Sequence, residues 1–96
     1  MRKTDKEIDN QIRVLLTDVC EGLMKDVHGF LWLTHSANYQ KFPQSLLVTL
    51  VFDDQQAIES FRADTAYDAL VERLESGFGS FQVKNVAAHL VFKVEG

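Results

Sequence analysis

Few side chains in this sequence combine the type and spacing that chemistry requires. His28, His35 and His89, with Cys20, are the nitrogen and sulfur side chains able to ligate a metal. They show neither C-x-x-C nor H-x-x-x-H spacing, the intervals at which zinc ligands usually converge. His28 follows a helical stretch, where positive charge complements the carbonyl end of a helix. Cys20 falls beside an apolar stripe, and a cysteine there behaves as a small hydrophobe rather than a nucleophile. Asp53 and Asp54 are adjacent, which suits helix capping better than acid–base work. Gly77-Phe78-Gly79-Ser80 follows a helical pattern, whereas a phosphate cradle offers amides at a helix start. No catalytic residue, metal or other cofactor is expected. The reading for this chain is a non-enzymatic domain, with a small-ligand or enzymatic site on the His89 side of the sheet as a third reading.

The elements that would position these residues follow from periodicity. Thr4-Asp5-Lys6-Glu7 has the form of a capping box. Ile8, Ile12, Leu15, Leu16, Val19, Leu23 and Val27 then recur at helical spacing, opposite Asp9, Arg13, Asp18 and Glu21. They predict one amphipathic helix from about Asp5 to Asp26, stopped near His28-Gly29. Phe30 to His35 and Leu46 to Phe52 are rich in strand formers and read as an antiparallel hairpin around the loop holding Pro43. Asp53-Asp54 opens a short helix on Ala57, Ile58 and Phe61. Asp64-Thr65 opens another on Tyr67, Leu70, Val71, Leu74 and Phe78. Val86 to Val94 alternates as a last strand, and the helical crossover before it predicts that it runs parallel to the second.

The expected order is α-β-β-α-α-β: a two-layer α+β fold with a three-stranded mixed sheet and helices on one face. At 96 residues, 46% of them hydrophobic, the chain suits a single domain over 1–96. With one cysteine it forms no internal disulfide, which fits a reducing, cytoplasmic setting. The opening Met1 to Lys6 has no apolar stretch behind it, so no signal peptide is expected, and with no apolar run long enough to cross a bilayer no membrane association is expected either.

Splitting each strand into its two faces places Leu31, Leu33, Leu46, Val48, Leu50 and Phe52 against the helices, with Val86, Ala88, Leu90, Phe92 and Val94. The other face would carry Phe30, Trp32, Thr34, Leu47, Thr49, Val51, Ala87, His89, Val91 and Lys93. That mixture is too apolar for open water and too polar for a sealed core, which marks an interaction surface. Trp32, Thr34, Thr49, His89 and Lys93 are the expected contact residues. The expected occupant is a second copy of the chain, giving a homodimer, or another protein partner.

Nucleic acid is the alternative partner, with Arg2, Lys3, Lys6 and Arg13 supplying phosphate contacts. A net charge of −4 does not support it. Between Asp53 and Glu75 seven acids face two bases, a pattern typical of a solvated helical surface.

Met1 to Lys6, Leu16-Thr17-Asp18-Val19-Cys20-Glu21, Gly29 to His35, Phe42-Pro43-Gln44-Ser45-Leu46 and Val51-Phe52-Asp53 together resemble short bacterial proteins catalogued as Fis-family transcriptional regulators. The resemblance is best over the first half of the chain. It implies a cytoplasmic bacterial protein and a DNA-binding regulator. Fis itself reads DNA with a carboxy-terminal helix-turn-helix, whereas the last segment here alternates like a strand. The element order is also similar to BolA and type II KH domains. KH domains hold single-stranded nucleic acid on a Gly-x-x-Gly loop, and the corresponding Phe61-Arg62-Ala63-Asp64-Thr65 contains no glycine. BolA-like proteins have a histidine in the last strand, a place comparable to that of His89.

Overall fold

The computed structural model describes residues 3–79, 83 and 85–95, with Lys3 and Thr4 described in backbone only. Helix α1 (Lys3–Asp26) leads into strand β1 (Phe30–Ser36) and a 3-10 turn at Tyr39–Lys41, followed by strand β2 (Leu47–Phe52). Helices α2 (Gln55–Ala63) and α3 (Thr65–Phe78) come next, then a 3-10 turn at Val86–His89 and strand β3 (Leu90–Val94). The order α-β-β-α-α-β and the mixed three-stranded sheet are as the sequence predicts. β2 is central, antiparallel to β1 and parallel to β3.

The two acidic caps act as expected. Asp54 Oδ1 accepts from the Ala57 amide at 2.7 Å, satisfying an amide that has no partner within α2. Asp64 closes α2 by donating its own amide to the Phe61 carbonyl, and opens α3 by accepting from the Ala66 amide at 2.9 Å. One residue thus turns the chain between two helices. Gly29, with φ +87°, turns it between α1 and β1.

α1 begins at Lys3, ahead of the expected Asp5, so the backbone of Thr4 already belongs to the helix. A larger difference lies in β1. A bulge between Phe30 and Trp32 inserts Leu31 as an extra residue. Phe30 therefore pairs with Phe52 and turns to the helices, not to the open face where strict alternation puts it. The two rings meet edge to face at 5.6 Å. The third difference is at β3, which starts at Leu90. Val86, Ala87, Ala88 and His89 form the 3-10 turn and not the first half of the strand.

All three helices bury their stripes against one face of the sheet. Ile12, Leu16, Val19 and Leu23 of α1, Ile58 and Phe61 of α2, and Leu70, Leu74 and Phe78 of α3 form one cluster with Phe30, Val48, Leu50 and Phe52. Phe52 is fully buried and lies within 6.3 Å of the rings of Phe30, Phe61 and Phe92. It joins both outer strands and α2 to the centre of the sheet.

Candidate functional site

Register decides what the uncovered face of the sheet displays. The aligned rows on that face are Trp32–Val51–Lys93 and Thr34–Thr49–Val91, with Ser36 beside Leu47. Four of the five expected contact residues, Trp32, Thr34, Thr49 and Lys93, therefore share it. Trp32 is 44% and Leu47 43% exposed. Val51 is buried, yet it lies outside the cluster under the helices. Trp32 and Lys93 flank it in register, and such side chains cover apolar neighbours with their rings and stems. The result is an apolar floor between an exposed indole and an exposed ammonium.

His89 stands apart from that group. It ends the 3-10 turn, and its Nδ1 donates to the Leu46 carbonyl at 2.7 Å. A carbonyl only accepts, so the proton sits on Nδ1 and Nε2 is left as an acceptor in the neutral ring. The bond ties the turn before β3 to the residue just ahead of β2.

A second polar constellation has no counterpart in the sequence reading. Asp9, on α1, accepts from the Tyr39 hydroxyl at 2.7 Å and from His35 Nε2 at 3.2 Å on one oxygen, and from Arg13 Nε at 2.7 Å on the other. The hydroxyl of Tyr39, with help from His35 and Arg13 and against the opposing effect of burial, holds the Asp9 carboxyl below its ordinary value. Tyr39 in turn is pushed well above the ordinary range, first by burial and then by its bond to Asp9. Asp9 and Arg13 are readable as a helical i, i+4 pair. The other two partners lie 26 and 30 positions away and carry no local signature.

Beside this constellation a groove of about 420 Å³ separates α1 from β1, with Arg13, Thr17, Cys20 and Glu21 on the helix side and Thr34 and His35 on the strand side. A second groove of about 410 Å³ lies between α1 and α3, where Asp18 and Arg73 form an ion pair.

Of the residues expected to contact phosphate, Lys6 is exposed on α1 and Arg13 is engaged with Asp9. Arg2 and the side chain of Lys3 lie outside the described residues. Among the described residues no three His, Cys, Asp or Glu side chains gather in a metal-binding group, and no helix is long and apolar enough to cross a membrane.

Comparison of the chain with known protein families, with curated proteins and with solved structures finds no match.

Proposed function

We propose that this chain is a non-enzymatic regulatory or adaptor domain that works as a homodimer and docks protein surfaces on the uncovered face of its sheet. The observation that carries the reading is the half-exposed Trp32, aligned with Val51 and Lys93 on a face that no helix covers among the described residues. Large aromatic side chains with an apolar surround dominate binding energy at protein interfaces. Thr34 and Thr49 add hydroxyls that hydrogen-bond without closing the face to water. The fitting partner surface is apolar, with acid placed against Lys93.

The test pairs two measurements. Fluorescence anisotropy with labelled single- and double-stranded DNA and RNA at low salt is expected to show no binding. A protein that co-purifies with the wild-type chain is expected to be lost from both Trp32→Ala and Thr49→Lys, while each variant keeps its folded circular dichroism. Salt-sensitive nucleic-acid binding, or a partner retained by both variants, would overturn the reading.

A further inference from the structure

β1 is an edge strand, with β2 as its one strand neighbour among the described residues. Alternate residues of an edge strand turn their N–H and C=O groups away from the sheet. Sheets usually blunt such edges with Lys, Pro, a bulge or a covering element, and the bulge in β1 lies at its start, leaving Trp32 to Ser36 in regular register. β1 has neither Lys nor Pro in its seven residues, whereas the opposite edge strand, β3, carries Lys93. The groove of about 420 Å³ runs along β1 and is open to solvent. Its α1 flank continues to Val14, which is 72% exposed.

The charges along that flank are self-complementary. Arg13 and Glu21 stand four residues on either side of Thr17, and all three line the groove with Thr34. A two-fold axis passing Thr17 and Thr34 would lay α1 antiparallel to its copy and β1 antiparallel to its copy. Each Arg13 would then face the Glu21 of the other chain, and the same pairing would occur twice. Arg13 spends its Nε on Asp9, which leaves the terminal guanidinium nitrogens free to face the acid.

We infer that the free edge of β1 and its α1 flank seat a second copy of the chain, the two β1 strands pairing antiparallel about Thr34. In this register Trp32 lies opposite Ser36 of the second copy, and Leu33 opposite His35. A single strand pair does not bury the roughly 800 Å² per partner of a stable interface, so the helix flank with Val14 belongs to the contact. The two sheets become one of six strands, and the two uncovered faces become continuous. The inference rests on the homodimer of the proposed function and names where that dimer forms. It is separate from the docking of other proteins on the face.

Sedimentation equilibrium of the full chain, with two variants, tests it. The wild type is expected at twice the chain mass. Glu21→Lys, which places two like charges across the axis, is expected to weaken association about tenfold. Thr49→Lys, in the middle of the open face, is expected to leave it unchanged. In a Cys20→Ser background, Thr34→Cys is expected to form a disulfide-linked dimer under mild oxidation, since antiparallel neighbours at an axis lie within disulfide reach. A single-chain mass at high concentration would overturn the inference. So would dissociation by Thr49→Lys with Glu21→Lys unaffected, which would place the dimer on the open face, or the absence of a cross-link through Thr34→Cys.

Discussion

Tyr39 donates its hydroxyl proton to Asp9 across 30 positions of sequence, at 2.7 Å. This bond fastens the loop between the first two strands to the amino-terminal helix, and the sign of its pH dependence follows from the shifts at both ends. A carboxyl held below its ordinary value of 3.8 contributes stability above that value and loses it as the pH falls through the folded value. A phenol pushed above its ordinary value of 10.0 contributes below pH 10 and loses its share as the pH rises toward the folded value. Tyr39→Phe is expected to cost about 1–2 kcal/mol near neutral pH, allowing for partial exposure. Urea midpoints measured across pH should show the gap between variant and wild type closing at both extremes. A constant gap would mean that the ring, and not the bond, carries the effect.

The turn into β1 separates two glycines by what they face. A Cβ on Gly29 would stand 2.6 Å from the Ala57 Cβ and 2.9 Å from Asp53 Oδ1, at a φ that side chains disfavour. Gly29→Ala is expected to destabilise by about 1–3 kcal/mol. Gly22 lies within α1 with nothing within 4 Å of such an atom, so Gly22→Ala is expected to stabilise by about 0.5–1 kcal/mol. Thermal midpoints should move in opposite directions.

Asp64 serves two helices, Asp54 one. Each replacement by Ala is expected to cost about 0.5–2 kcal/mol through the lost cap. Asp64→Asn should recover most of the loss, because the amide oxygen still accepts from Ala66. Chemical denaturation of the four variants Asp54→Ala, Asp54→Asn, Asp64→Ala and Asp64→Asn checks this. No recovery by Asn would point to the carboxylate charge instead of the cap.

The core and the open face should respond differently to loss of an aromatic. Phe52→Ala removes a fully buried ring that bridges both outer strands and α2, and is expected to cost about 3–5 kcal/mol. Trp32→Ala removes a half-exposed ring and is expected to cost less than about 1.5 kcal/mol. An equally large loss at Trp32 would make it a core residue of this fold.

Much of this architecture was legible because the helical stripes are long and the acids at Asp54 and Asp64 mark helix starts. The crossover between β2 and β3 then dictates the parallel pair. The bulge was not legible, for a physical reason: Phe30-Leu31-Trp32-Leu33 is apolar at every position, so it carries no phase by which an inserted residue would show. Val86 to His89 misleads in another way. Its small and β-branched residues fit a strand as well as a 3-10 turn, and the bond from His89 to the Leu46 carbonyl belongs to tertiary structure. That Trp32, Thr34, Thr49, Val51, Val91 and Lys93 share a face was readable from the two-residue period; their alignment into the rows Trp32–Val51–Lys93 and Thr34–Thr49–Val91 was not, because it depends on the strand register. The Asp9 constellation was not, because its strand and loop partners meet only when the chain folds.

Trp32 is the chain's single tryptophan, and it sits on the uncovered sheet face rather than in the core. The molecule therefore carries an intrinsic optical reporter aimed at its surroundings. An indole already half in water senses unfolding weakly. It senses the arrival of an apolar surface strongly, through a blue shift and slower quenching. Occupancy of the face can be followed on the unmodified protein, with no label attached to either side of the contact.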